Sequence, residues 1–589
     1  MKYKFKYLIV FICFIMGAVS CDITDTVPKD AITDLNYWRK VDDLKLFANN
    51  FYTTLSAPSD ALDAQSDNCV TNTPDNRLFN NMVVPGTGGG WSISDWNNIR
   101  NTNYFLKRYK TVEGDEREVN HYVGEVRFFR AHEYFNKVKR FGDVPWIDKD
   151  LSTTDEDILM KPRDPRKFVV EKIIEDLEFA AENLKAPEEV ENGRLHKYAA
   201  LQLLARVGLY EGTWMKYRNK EGWNIFLQKA VDATEIIMNE GNYDIIKGEA
   251  PYMFEGYPLY YRQQFIQEDL TANKECVLPR IYTKDILMHW LSRRVNEPGW
   301  GISKDFIENF LCIDGKPIAL SPLYAGDDSL ILEMENRDPR LRNMVDNPKL
   351  PYFLDGSKPI SYPVTPIAVN TCPTGYMASK FRNPEPEQNE AMHTTYDWYI
   401  FRYAEVLLIN AEAKAELGTI TQTDLDKTIN ILRARLDEPG KFEMGRLTLN
   451  PPQDPLSHVN GSPRYGYEIS PLIYEIRRER RIELAFEGFR WDDIVRWNAG
   501  ILIENPKTML GITVNEDVIN KYTYHYGGTN PFSDRSFYEF TDWDGKQKKL
   551  LKVYTTTSRK WDDKLYLDPL PTDQLELNTN LRQNPGWEK

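Results

Sequence analysis

A chain whose first half is written in helical period has to stack those helices on one another. "HKYAALQLLARVGLYEGTW" (196–214) sets the pattern: it is rich in Ala and Leu and apolar on more than one side, so it reads as a helix flanked by neighbours. Trp38 to Leu55 reads as a helix, and Ser94 to Lys110 brings Trp96, Ile99, Phe105 and Leu106 near one face. Glu118 to Phe141 carries a stripe of Tyr122, Val126, Phe129 and Tyr134, and Gly142 and Pro145 stop it. Asp164 and Pro165 read as the N-cap and first position of the next helix. Another begins near Phe226 and ends at Gly241. Ala199, Ala200, Ala205 and Gly208 let helix backbones approach closely. These are successive helix pairs of roughly tetratricopeptide size, and a superhelical stack is their natural packing. The expected fold class is mainly α, with few short strands.

A chain of 589 residues is too long for one simple core. From Tyr243 to Thr395 Gly, Pro, Asn and aromatic residues dominate, and strand-like pieces such as "ECVLPRIY" are short. Helices return over Tyr399 to Gly418, in "DLDKTINILRARL" and around Ile476, and the chain is loop-rich again after Gly500. The expected division is a helical region over 36–245 and a second region over 246–589, whose 246–395 part is an irregular, loop-rich lobe of the kind that carries function more often than scaffold helices do. The net charge of −14 argues against a polyanion partner, so no nucleic acid is expected.

The N-terminus reads as an export signal. Lys2, Lys4 and Lys6 precede an apolar run, Tyr7 to Met16, that is too short to span a bilayer, and "GAVSC" follows. A Cys directly after small residues resembles a bacterial lipobox. On that reading residues 1–20 are removed, Cys21 is acylated, and 21–35 is a polar linker. Acyl chains, at roughly 0.8 kcal/mol per buried methylene, would hold the protein on a membrane without a spanning helix. The plain alternative is an ordinary secretory signal with a chance Cys. Cys69, Cys276, Cys312 and Cys372 remain in the body, with no C-x-x-C pair and no zinc-site spacing.

The stretch "IRRERRIELAFEGFRWDDIVRW" (476–497) looks most like an active site. It carries six Arg against three Glu and two Asp, with Arg477 and Arg481, and Glu479 and Glu483, four apart. Mixed signs at this spacing predict an exposed salt-bridged ladder, each pair worth a few tenths of a kcal/mol, over a buried stripe of Ile473, Ile476, Leu484 and Ala485. Other chemistry is not signalled. "PGTGGGW" lacks the Lys-Ser/Thr of a phosphate loop, His132–Glu133 has no second His four residues on, and no G-x-S-x-G occurs. A glycosidase needs two carboxyls roughly 5 to 10 Å apart, and among 88 acids no compact motif singles out two. No cofactor and no metal are expected.

Binding a sugar asks for aromatic faces and polar groups on loops. "DILMHWLSRRVNEPGW" (285–300) offers Trp290, Arg293, Arg294, Asn296 and Trp300. "DNRLFNN" (75–81) offers Arg77, Phe79 and Asn80, and "SPLYAGDDS" offers Tyr324. The paired arginines hint at an acidic sugar or carboxylate.

Several segments, in order and spanning nearly the whole mature chain, resemble the SusD/RagB family. They are the lipobox at Cys21, "WSISDWNNIRNTNYFL", "FFRAHEYFNKVKRFGDVPW", "EDLEFAAENL", "RLHKYAALQLLARVGLYEG", "CPTGYMASKF", "FRYAEVLLINAEAKAELG", "IRRERRIELAFEGFRWDDIVRW" and "LPTDQLELN…RQNPGW". Trp96 stands where a Tyr is common in that family, and His132–Glu133 where aromatics are common. The resemblance implies a helical fold with an irregular ligand-facing lobe and an outer-membrane lipoprotein facing the cell exterior. It also implies a non-catalytic protein that captures glycans and passes them to a SusC-like TonB-dependent transporter. Three alternatives stand beside this: a RagB-like peptide-binding subunit, a glycoside hydrolase on the same scaffold, and a pure assembly protein.

Overall fold

The computed structural model describes residues 37–588 apart from 60–62, 247–252, 255–256, 259, 297–298, 348–352, 356–357, 361–371, 435–443 and 543–544. Cys21, the expected signal and the linker lie outside the described residues. The fold is mostly helical with few short strands. The N-terminal helices are α1 (Val41–Ala48), α2 (Ile93–Arg108), α3 (Glu116–Phe141), α4 (Arg166–Asn183), α5 (Lys197–Lys216) and α6 (Trp223–Glu240). Both α1 and α2 pack on α3, and α3, α4, α5 and α6 then pack each on the next. Three later helices, α7 (Tyr403–Leu417), α8 (Pro471–Glu483) and α9 (Arg490–Arg496), complete the stack: α7 lies on α6 and α5, α8 on α7, and α9 on α5.

Local chemistry explains the breaks. The Asp115 carboxylate accepts from the backbone N–H of Arg117 at 3.0 Å and Glu118 at 3.2 Å, capping α3, and Gly142 at φ +74° ends it. At α4 the cap is shifted by one residue from the expectation. Pro165 is the N-cap, and Asp143 from the preceding loop accepts the Arg166 N–H at 2.7 Å. The Asp164 carboxylate instead accepts from the Trp146 N–H at 2.7 Å. Between α5 and α6, a Cβ on Gly208 would stand 2.7 Å from the Phe226 carbonyl oxygen, so only glycine permits that approach.

The strands are short. Antiparallel β1 (Cys69–Thr71) pairs with β3 (Trp300–Ile302), and β2 (Cys276–Arg280), the expected "ECVLPRIY" strand, pairs with β4 (Trp398–Arg402). Strands β5 (Leu510–Thr513), β6 (Ser536–Thr541) and β7 (Gln547–Lys552) form a sheet in the order β5-β7-β6. Cys69, Cys276, Cys312 and Cys372 are buried free thiols.

The charged ladder of α8 is not exposed, which corrects the sequence expectation. Arg477, Arg478, Glu479, Arg480, Arg481 and Glu483 are all buried, as are Arg490, Asp493 and Arg496. Asp493 pairs within the stretch, with Arg480 at 2.9 Å and Arg496 at 2.8 Å, but most of the other partners come from remote parts of the chain. Arg481 pairs with Asp305 at 2.9 Å and Asp67 at 3.2 Å, and Arg490 pairs with Asp67 at 2.7 Å. Arg340 reaches Glu479 at 2.6 Å and Glu483 at 2.9 Å, while Arg402 reaches Glu483 at 2.8 Å and Glu487 at 2.7 Å. Arg496 holds Glu412 of α7 at 2.6 Å, and Arg477 holds Glu416 at 3.2 Å. Burial alone would raise the Glu479 carboxyl, but Arg340 and Arg433 hold it below its ordinary value. Asp67 is held well down in the same way by Arg481 and Arg490. The stretch is therefore an internal ionic hub. It ties the 63–69 loop, the middle lobe and the helical stack together.

Candidate functional site

Trp290 stands at the surface because the residue before it does not. His289 is buried, and its backbone exchanges hydrogen bonds with Thr394 at 3.0 and 2.9 Å. Its Nε2 lies 3.0 Å from the Tyr396 carbonyl oxygen, and its Nδ1 accepts the Leu291 N–H at 3.2 Å. A carbonyl only accepts, so Nε2 carries the hydrogen and the ring is neutral. Burial lowers the His289 pKa to about 4, with the Tyr396 carbonyl working against it. Tyr282 and Tyr396 box the ring edge-on at 4.6 and 4.8 Å. Consecutive side chains in such a paired segment point opposite ways, and Trp290 is 52% exposed.

The platform is tied down from beneath. Ser292 Oγ lies 3.0 Å from Asn389 Oδ1 and accepts the Asn383 N–H at 3.0 Å. Asn296 donates to Asn389 Oδ1 at 2.9 Å and accepts from Arg382 Nε at 2.6 Å, and Arg382 pairs with Asp346 at 2.9 Å. Asn296, expected at the rim, thus belongs to the base. Arg293 and Arg294 are exposed at the end of the short helical turn Leu291–Arg294. Ile286, at 83% exposed, and Leu287 precede the indole, and Met392 is exposed on the segment that pairs with His289. The sequence reading did not single out these apolar side chains. For Ile286 and Leu287 the only signal was an apolar run, "ILM", with no helical or strand period around it. Together the groups offer a flat apolar face, flanking aliphatic carbons and guanidinium donors, the set that holds a sugar ring.

The other expected residues are placed differently. Trp300 is buried in the β1–β3 pair opposite Thr71, with its ring 5.6 Å from Phe486, so it presents no face to a ligand. Phe79 is also buried, edge-on to Tyr554 at 5.2 Å. Arg77 pairs with Asp568 at 2.6 Å and lies over the Trp491 ring at 5.0 Å. Asn80 sits at φ +53°, with its amide nitrogen 3.5 Å from Asp562. The 75–81 patch therefore latches the N-terminal region to the C-terminal 554–568 segment. Tyr324 is half-buried with Arg337 5.4 Å from its ring, and burial raises its hydroxyl pKa. Of the three expected patches, the first alone keeps an indole half in solvent.

Residues 294–587 match the SusD family, and residues 25–209 match a family described as "Starch-binding associating with outer membrane". SusD-like protein P2 of Formosa agariphila is 24% identical over 537 residues, covering 85% of this chain and 92% of its own. The solved structure of a SusD-like carbohydrate-binding protein from Bacteroides fragilis covers 93% of this chain and all of its own length, at 22% identity and a TM-score of 0.67. A laminarin-binding SusD-like protein matches 93% of this chain at 17% identity and a TM-score of 0.52. No described helix is long and apolar enough to cross a membrane.

Proposed function

The chain belongs to the SusD family, and from that premise we propose that it is a non-catalytic glycan-capturing subunit held at the outer membrane by acylated Cys21. In this reading it delivers its cargo to a SusC-like TonB-dependent transporter. The ligand lies on Trp290, with Arg293 and Arg294 reaching its hydroxyls. The observation that carries the reading is the half-exposed Trp290 indole beside a buried and doubly hydrogen-bonded His289. A rigid aromatic held out to water costs little ordering on binding. The laminarin-binding and carbohydrate-binding relatives support a glycan over a peptide. Affinity electrophoresis through gels containing single polysaccharides tests the proposal. Retardation by at least one glycan, lost in Trp290→Ala, supports it. Retardation by none, with binding to peptides instead, moves the protein to the RagB-like reading. Steady release of reducing ends above a heat-killed control would make it an enzyme.

A further inference from the structure

The first described residues run along one side of α2. Lys40 bridges Glu113, whose N–H donates to the Arg39 carbonyl at 3.1 Å. Slightly nearer α2, the Thr111 hydroxyl lies 3.5 Å from the Trp38 carbonyl oxygen. The Trp38 ring stands 6.0 Å from Tyr104 and 5.7 Å from Phe105, within α2 itself. Followed backwards from Lys40, the chain therefore travels from the segment after α2 toward the start of that helix. The same line continues into a groove of about 370 Å3, lined by Phe47 of α1 and by Asn97, Arg100, Asn101 and Tyr104 of α2.

The lining is suited to a polypeptide. Asn97, Arg100 and Asn101 are exposed, and their side chains make no hydrogen bond or ion pair with another described residue. Asn97 and Asn101 are about 6 Å apart along the helix axis, close to the roughly 6.6 Å between alternate residues of an extended chain. Each amide carries donors and an acceptor, the complement of a backbone C=O and N–H. Phe47 and Tyr104 are half-buried and stack at 5.9 Å. The Arg108 guanidinium stands over the Tyr104 ring at 3.5 Å, so the open aromatic face that a pyranose needs is taken.

Charge and reach say which polypeptide. The segment 22–36, "DITDTVPKDAITDLN", sets Asp22, Asp25, Asp30 and Asp34 against Lys29. In a chain of net charge −14, α2 and the turn after it are locally basic. Arg100, Lys107 and Lys110 are exposed there, and only Lys107 has an acid partner among the described residues, Asp150 at 3.5 Å. From Tyr104 to Asn97 is about 10 Å of helix, a distance that three or four extended residues cover. The residues just before Tyr37 are thus long enough to fill the groove and opposite to it in charge.

We infer that this groove seats the chain's own N-terminal segment, residues 30–36. The Asn97 and Asn101 amides hold its backbone, its aspartates meet Arg100, and Leu35 lies toward Phe47 and Tyr104. If Cys21 is the anchor, docking shortens the tether: residues 21–36 reach at most about 55 Å, and residues 21–29 about 30 Å. The docking itself does not depend on acylation.

The test uses the mature chain with Cys21→Ser, which carries no acyl group, so its outcome is separate from that of the lipoprotein reading. Hydrogen exchange followed by mass spectrometry reads the amides of residues 30–36. The expected result is exchange slowed at least about tenfold against the free-peptide rate, with that protection lost in Arg100→Glu and in Asn101→Trp. Both positions are exposed, so the fold survives the changes, and unaltered exchange in α5 checks this. Exchange of 30–36 at the free-peptide rate in the unsubstituted chain overturns the inference. Protection that survives either variant also overturns it, because the segment is then held elsewhere. So does protection of residues 97–104 that appears only on adding laminarin or a casein digest, which gives the groove to an outside ligand.

Discussion

Residues 476–497 and 285–300 are both short stretches of arginine and tryptophan, yet they serve opposite ends. In the first, every arginine is buried and paired with an acid far away in sequence, and Trp497 is fully enclosed with its Nε1 donating to Glu412 at 2.7 Å. In the second, Arg293, Arg294 and Trp290 face water. The difference is made by neighbours, not by composition. Where acids from several segments converge, arginine becomes a structural bolt. Where one buried His fixes the backbone, the next aromatic is pushed outward. A buried ion pair adds little net stability compared with apolar packing, but breaking one leaves an unpaired charge in low dielectric. The hub should thus be sensitive to single substitutions and the exposed platform tolerant of them.

That contrast can be broken in graded steps. The largest effect is expected for Arg340→Met, which strands Asp338 and takes one of two guanidinium partners from each of Glu479 and Glu483. Chemical denaturation should show a loss of about 3–5 kcal/mol, or no folded protein. A loss under 1 kcal/mol would mean that the hub relaxes or hydrates. Next is Gly208→Ala, whose Cβ must displace α6. A cost of about 1–3 kcal/mol is expected, and a neutral result would show that the stack slides freely. A smaller, pH-dependent effect is expected at His289, whose pKa is lowered to about 4 from 6.5. Its neutral form is the folded one, so the unfolded chain binds more protons between these values. The stability it contributes is full above pH 6.5 and is lost as pH falls toward 4. In His289→Gln the slope of unfolding free energy against pH over that window should be shallower, by at most about 1.4 kcal/mol per unit. An unchanged slope would show that His289 is protonated in the fold.

Much of the helical stack was legible in the sequence because its signal is local. The 3.6-residue period and the stop at Gly142 act within a few residues of one another. The hub was not legible in the same way. Arg477 to Glu483 have the spacing of a solvated ladder, and nothing near them reveals that Asp67, Asp305, Arg340 and Glu412 close over them. Trp300 misled for a related reason: "EPGW" reads as a loop, while burial comes from a three-residue strand pairing with Thr71, more than two hundred residues upstream. Arg77 and Phe79 are spent on Asp568 and Tyr554 from the far end of the chain. For the proposed platform, the sequence supplied Trp290 and its arginines. The buried His289 that turns the indole outward depends on Thr394 and Tyr396, which only folding brings near.

Trp290→Ala puts the contrast to its most direct test, with unfolding free energy and glycan affinity measured on the same preparation. If Trp290 is an exposed platform, stability should change by no more than about 0.5 kcal/mol while affinity for the retained glycan falls at least about tenfold. A drop of several kcal/mol in stability, or unchanged affinity in a fully folded variant, would contradict that assignment.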